Sequence, residues 1–547
     1  MAWQKTWFKS KVWRWGMPFL AVFLLLRLVF WGATFPNPDE GYYWMWGQHP
    51  GFSYYDHPPL HAWVQGLFTA LLGRSRLALR LPNLLSNCIL LATYWQICRY
   101  LYRDRAADAF WLVVLLLASS PLFFLFLAMA WHDHWLVTFS LLSSFAWVRF
   151  LDSYLADGRG QSRWLYGAAG LLGLAGLCKY NAVFVGLGFL ASLMLNRRLR
   201  SLLLDPRLWG AVAIALLALS PILIWNWQHD FFSFRFYADR TGGGGLWFNF
   251  FQPLVFLLLC GLILGPIHTW GIVRWIGHWR GAQRRSGGAK EPIEVVATGA
   301  GPSVYGSVAL SIFVVSTGAF TFLSLVSVAY YYWNILAYPL LFPLVAGLFL
   351  RPLSPAPAAS SPMQRQKLLL SAQLIGITVA ATLIFHYTVV PLTALISGVV
   401  DPDSAALYGW DAIATRVQTQ AQTLENPLLL TTDYRSAGAL GYQLNSPQVI
   451  AISGRLDQFD FWYDRDAMQG RDAVLLGEDW HPICPIHLAM FERTDPPEQI
   501  QIKRFGVVLQ TYTLVRGYGF DAGPDDRYPL RPDYPLAFAS DGQVCAP

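Results

Sequence analysis

Long apolar runs recur along the first two-thirds of the 547-residue chain, separated by short polar segments. About 20 mostly apolar residues suffice for one helix to cross a bilayer. On that measure the pattern predicts about eleven spans, at 17–34, 81–102, 107–120, 133–151, 164–178, 180–196, 208–227, 249–275, 305–328, 333–350 and 367–390. The third and fifth are short. An odd number places the two termini on opposite sides of the membrane. The basic start MAWQKTWFKSKVWRWG runs straight into the first apolar stretch, and no small-residue cleavage site follows at a suitable distance. It reads as a retained first span with a cytoplasmic N-terminus.

Beyond residue 400 the pattern changes. Charged residues become frequent, and short apolar runs (LLLTTD, PQVIAIS, DAVLLGE) alternate with helical patterns such as YRSAGALGYQL. That alternation predicts a small α/β domain. The predicted fold is therefore mainly α: a polytopic membrane helix bundle over 1–399, followed by a soluble C-terminal α/β domain over 400–547 on the outer side. The Pro/Ala/Ser-rich stretch 351–366 reads as a linker, and 281–303 as a polar cytoplasmic loop.

Composition supports the membrane class. Only 13% of residues are charged and 55% are hydrophobic, against about a quarter charged in a soluble chain. The net charge of +7 suggests nucleic acid until its distribution is traced. Lys5, Lys9, Lys11 and Arg14 fall in one proposed cytoplasmic segment, and Arg197, Arg198, Arg200 and Arg207 in another. The proposed outer loops before residue 390 hold only Arg74, Arg76, Arg80, Lys179, Arg235 and Arg240. Such a bias is what cytoplasmic loops of membrane proteins carry, and no nucleic-acid role is needed. Cys88, Cys98, Cys178 and Cys260 lie in spans, where thiols pack. Cys484 and Cys545 alone lie in the outer domain, an oxidising place in a bacterium, and are expected to form a disulfide.

The unusual polar residues cluster at the outer ends of spans. The first outer loop, FPNPDEGYYWMWGQHPGFSYYDHPPLHAW, carries Asp39 and Glu40, then Asp56 and His57. Carboxylates among aromatics at a membrane surface are costly to desolvate, so they need a proton-transfer use, a cation or a salt bridge. Asp39 has a plainer alternative as the cap of a short helix, DEGYYWMWGQ. Later loops add Asp133 in AMAWHDHWLVTF, Lys179 and Tyr180 in GLCKYNAV, and the segments WNWQHD and YYYWNILAYP, the latter with Tyr332. His132 and His134 flank Asp133 but point apart on a helix. That pair falls short of the three or four converging ligands zinc favours, and His57 with Asp56 and His61 is the slightly better candidate metal set. No metal site is assigned; a divalent cation stays open as cofactor.

PDEGYYW, YYDHPP, Asp133, GLCKY, WNWQHD and YYYWNILAYP, in that order over residues 17–350, resemble the GT-C glycosyltransferases. The resemblance is strongest to the bacterial branch related to protein O-mannosyltransferases and the lipid A aminoarabinose transferase. DYRSAGALGYQL and QFDFWYD are similar to that branch's outer domain. The resemblance implies transfer of a sugar from a polyprenyl-phosphate donor to an envelope acceptor, glycolipid or protein, at the outer face of the bacterial inner membrane. It implies Asp39, Glu40 and Asp133 as acidic catalytic positions. Lys179, Arg80 and Arg240 are the cations available for the donor phosphate. Asp56, His57, Tyr180 and Tyr332 are implied substrate contacts. Where the lipid A enzyme has an acid-Lys-Pro-Pro pattern, this chain has Asp56-His57-Pro58-Pro59. A lipid-linked sugar flippase and a non-catalytic envelope subunit are the rival functions. The flippase predicts internal repeats and midplane helix breaks, which the sequence does not display.

Overall fold

A computed structural model of the chain describes residues 10–242, 248–285, 303–350 and 362–521. Helices dominate up to Ala421, and the strands follow from Leu428. The chain divides into two compact units. The first takes Met1–Leu28, His57–Leu60 and Asn83–Ala381; the second takes Val29–Asp56, His61–Pro82 and Thr382–Pro547. Most of the segment 29–82 groups with the C-terminal part.

In the first unit, the Asp133–Asp157 helix packs on Ser162–Gly176, which packs in turn on Pro206–Ala218. Val183–Leu195 packs on Ser303–Leu323. A Cβ on Gly188 would lie 2.8 Å from the Ile312 Cα. Only glycine allows that approach, as small residues do at helix crossings in membranes. Among the described residues, Lys11–Ala33, Val304–Leu323 and Met363–Thr388 are long and apolar enough to cross a membrane unaided.

Three further candidates are bent pairs, which corrects the expectation that the spans carry no helix breaks. Pro206–Ala218 and Ser220–Gln228 meet at 49°, Gln252–Leu264 and Pro266–Gly281 at 108°, and Tyr331–Ala337 and Leu341–Phe349 at 75°. The predicted span at 249–275 is broken at Gly265. Gly265 takes φ +115°, and Pro266 begins the next helix without an amide hydrogen to give.

In the second unit, the segment expected as an outer loop is largely helical, forming Pro38–Gln48 and Leu60–Leu72. The sheet comprises β1 (Leu428–Thr431), β2 (Val449–Ala451), β3 (Ala473–Glu478), β4 (Phe491–Thr494), β5 (Glu498–Arg504) and β6 (Val507–Phe520). The predicted three apolar runs are β1, β2 and β3. Their order is β2-β1-β3-β6-β4, with β5 also pairing β6. β1 lies parallel to β2 and β3, while β6 runs antiparallel to β3, β4 and β5. Near-continuous apolar strands such as AVLLGE suit a parallel pair covered on both faces, and all of β3 is buried. Leu428, Leu430, Ile452, Met468, Leu475, Phe491 and Phe520 form the core here. Asp433 follows β1 and caps the Tyr434–Leu444 helix, accepting from the Arg435 and Ser436 amides. The small-residue run Ser436-Ala437-Gly438-Ala439 is buried on this helix, which packs against Pro38–Gln48.

Candidate active site

The Pro38–Gln48 helix begins at Asn37, whose side chain accepts from the Asp39 amide. Glu40 closes the capping box by accepting from the Asn37 amide at 2.8 Å. Asp39 is therefore not the cap, which corrects the plainer of the two readings of that residue. Its carboxylate is half-buried and makes no hydrogen bond or ion pair among the described residues. Burial pushes the Asp39 carboxyl up to about 6; the Arg435 charge opposes this, Asp403 and Asp56 add to it, and Arg455 opposes it weakly. A carboxylate with no partner and a pKa near neutrality is suited to accept a proton.

Glu40 and Arg80, expected as a catalytic acid and a phosphate ligand, are committed to one another. The Arg80 Nη2 lies 2.7 Å from Glu40 Oε2, and both side chains are almost fully buried. Arg80 also donates to the Phe30 and Trp31 carbonyls and to Thr34 Oγ1. This guanidinium binds the carbonyl end of the preceding helix, where cations are favoured. It has no donor left to offer a phosphate.

Asp56 is held from two sides. Tyr42 donates its hydroxyl to Asp56 Oδ2 at 2.7 Å, and Arg455 Nη2 donates to Oδ1 at 2.9 Å. Gln458 reinforces the arrangement: its amide donates to the Tyr42 hydroxyl at 2.8 Å, and its Oε1 accepts from the Tyr55 amide at 2.7 Å. The Arg455 guanidinium lies over the Tyr434 ring, 4.1 Å from its centroid. Arg455 and Gln458 are functional candidates that sequence reasoning missed. Gln458 opens the QFDFWYD motif, and Arg455 lies three positions before it.

The first unit gathers the remaining candidates. Asp133 opens its helix, where a carboxylate is favoured, and Lys179 Nζ donates to both of its oxygens at 3.1 Å. Both residues are buried. The Lys179 ammonium lies 5.3 Å from the centroid of Tyr332, which stacks on Phe126. His57 sits ring against ring with His132 at 4.0 Å, and the Tyr237 hydroxyl meets His57 Nδ1 at 3.2 Å. Tyr180 bonds Ser233 and packs edge-on against Tyr237. His134 is turned away to Ser86, as the helical spacing of 132 and 134 predicts. The Arg240 side chain and Cys545 lie outside the described residues.

Known proteins resemble this chain. Residues 56–225 match the family described as dolichyl-phosphate-mannose-protein mannosyltransferase. The lipid A galacturonosyltransferase RgtD of Rhizobium johnstonii is 29% identical over 274 residues, 48% of this chain and 54% of the relative. The chain thus matches only about half the length of that curated relative. The structure of ArnT from Cupriavidus metallidurans, solved apo and bound to undecaprenyl phosphate, superposes with a TM-score of 0.55 at 16% identity. That likeness covers 92% of this chain and 98% of ArnT and establishes a shared fold. Together these findings bear out the GT-C resemblance drawn from the sequence.

Proposed function

We propose that this chain transfers a sugar from a polyprenyl-phosphate carrier to a lipid A-like glycolipid at the outer face of the bacterial inner membrane. Its N-terminus is then cytoplasmic and its sheet-containing C-terminal part periplasmic. One observation carries the reading: the Asp39 carboxylate has no hydrogen-bond or ion-pair partner among the described residues, is partly desolvated and sits at the first turn of a helix, with its carboxyl raised to about 6. The acceptor class follows the name of the curated relative RgtD, and the carrier class follows the undecaprenyl phosphate bound in the ArnT structure.

The chemistry assigns one task to each group. The acceptor hydroxyl gives its proton to Asp39 as its oxygen attacks the anomeric carbon. The bond from that carbon to the phosphate oxygen breaks, and the carrier leaves as the polyprenyl phosphate. General-base assistance of this kind contributes about 10²–10⁴-fold. Lys179 is the cation we assign to the phosphate, since Arg80 is spent on Glu40. Lys179 can turn a donor from Asp133 toward a new anion because an ammonium is a point charge with three donors. Asp133 holds that ammonium in place. Tyr332, beside Lys179, is assigned to the sugar or the prenyl phosphate.

The test is transfer by the purified chain in detergent, from a radiolabelled polyprenyl-phosphate sugar to lipid A. Turnover that vanishes in Asp39→Asn while donor binding persists supports the assignment. Donor binding without turnover in the wild type would favour the flippase.

A further inference from the structure

The C-terminal ends of β1 and β3 hold a second cluster that the transfer reaction does not use. In this sheet, β1 is followed in the chain by β2 on one side and then by β3 on the other. The order in which strands are added therefore reverses between β1 and β3, and such switch points, outside the carboxyl ends of parallel strands, are where open α/β sheets bind ligands. Asp433 lies just past β1, Glu478 ends β3, and His481 follows on a tight turn closed by Glu478–His481 backbone hydrogen bonds. One ligand atom from each of the three lies within 4.8 Å of the others.

The hydrogen bonds leave a gap of one kind. Asp433 Oδ2 takes the Arg435 and Ser436 amides and the Arg435 Nε. Asp433 Oδ1 makes no hydrogen bond among the described residues. It faces His481 Nε2 at 3.8 Å, beyond hydrogen-bond reach. On the other side of the ring, His481 Nδ1 is bonded to Glu478 Oε1. That bond places a proton on Nδ1 and turns Nε2 toward the Asp433 oxygen. Glu478 is itself held through Oε2 by the Trp480 amide and the Gln510 side chain. A carboxylate orienting an imidazole whose far nitrogen faces a second carboxylate is the usual support for a bound metal. Two ligands of one zinc ion, each about 2.0–2.2 Å from it, lie about 3.4 Å apart in a tetrahedron. The observed gap closes to that by a shift of a few tenths of an ångström. A small cavity of about 10 Å³, lined among others by Asp433, Glu478, Trp480, Gln510 and Tyr512, adjoins the gap and is about the size of one water. Arg435 is the one opposing charge in its wall, and Asp403 pairs with it at 2.9 Å.

We infer that this cluster binds one divalent cation of the zinc class through Asp433 Oδ1 and His481 Nε2, with Glu478 holding the imidazole and water completing the shell. The site is independent of the transfer reaction proposed above. Its effect is to tie the start of the Tyr434–Leu444 helix to the end of β3.

The test uses the full chain in detergent, purified without a polyhistidine tag and dialysed against about 1–10 µM free Zn²⁺ at pH 8, where protons compete least. Bound zinc is counted by elemental analysis, and melting is followed with and without the metal. The wild type should hold one equivalent more than His481→Gln and Asp433→Asn, and zinc should raise its melting temperature but not theirs. Asparagine remains a good helix cap, so Asp433→Asn should fold. Glu478→Gln should weaken binding about 10–100-fold, as loss of such support does. Asp39→Asn should keep the extra equivalent, which separates this site from the transfer mechanism. Equal occupancy in wild type, His481→Gln and Asp433→Asn would overturn the assignment, as would no zinc-dependent melting shift in the wild type.

Discussion

Gly41 and Gly438 touch backbone to backbone: a Cβ on Gly41 would lie 2.8 Å from the Gly438 carbonyl, and one on Gly438 would lie 2.6 Å from the Tyr42 amide nitrogen. The contact joins the helix that carries Asp39 to the helix that carries Tyr434 and Arg435. A side chain at either position must push the helices apart. Gly438→Ala should therefore cost about 1–3 kcal/mol, the range for overpacking, and should lower turnover further than stability alone accounts for. Thermal melts in detergent alongside transfer rates check this. An alanine variant with wild-type rate and melting would mean the contact places nothing.

Asp39 sets the acid limb of the reaction. Its carboxyl is raised to about 6, and only the ionised form accepts a proton. The rate should fall as pH drops through about 6, approaching tenfold per pH unit, and hold steady above it. Arg435 lowers this pKa through its charge, so Arg435→Gln should move the limb to higher pH. Asp39→Asn should lose about 10²–10⁴-fold in kcat and have no limb. Profiles of kcat/KM from pH 5 to 8.5 decide it. A limb unmoved in Arg435→Gln would detach it from Asp39.

The sequence disclosed the helix beginning near PDEGYYW but misplaced its cap. The signal was present: Pro38 at the first helical position makes the preceding Asn37 the natural cap. The break in 249–275 was also signalled, by Gly265-Pro266 inside an apolar run. Hydropathy alone hides it because both arms are equally apolar. The pairing of Arg80 with Glu40 had no local signal, since the two lie 40 positions apart and an exposed span-end arginine has the same sequence pattern. Asp433, Glu478 and His481 converge only once β1 and β3 are adjacent, and no motif spacing marks them. β1, β2 and β3 were legible as buried apolar runs. β5 and β6 escaped notice because their alternating faces, as in EQIQIKR, resemble polar loop.

The buried pair of Lys179 and Asp133 predicts an asymmetry between single and double variants. Lys179→Ala leaves an uncompensated buried carboxylate, which costs about 3–5 kcal/mol. Lys179→Ala with Asp133→Asn removes the charge along with its partner and should recover most of that loss. Donor binding should stay weak in both, because neither presents a cation to the phosphate. Lys179→Arg should keep the fold and part of the donor affinity. Melting curves and donor titrations separate the two effects. Full donor affinity in the double variant would remove Lys179 from the phosphate site.

The last prediction concerns the hold on Asp56. Arg455 is 41% exposed at its side chain and Asp56 is 11%, so solvent screening limits what this ion pair adds to stability, to about 1 kcal/mol or less. Its effect should instead be positional. Arg455→Met preserves the length of the side chain over Tyr434 but withdraws the guanidinium from Asp56 Oδ1. The KM for substrate should rise several-fold, with melting nearly unchanged. Gln458 offers an independent reading of the same segment, because its Oε1 is the acceptor for the Tyr55 amide. Gln458→Glu keeps an acceptor there, whereas Gln458→Leu removes it and leaves a buried amide hydrogen unbonded, at a cost of about 1–3 kcal/mol. Deuterium exchange at Tyr55 should accelerate in Gln458→Leu and stay slow in Gln458→Glu. Equal exchange in the two variants would mean that the 453–461 segment lies against the first-loop residues without holding them, and a KM effect in Arg455→Met would then have to come from its charge alone.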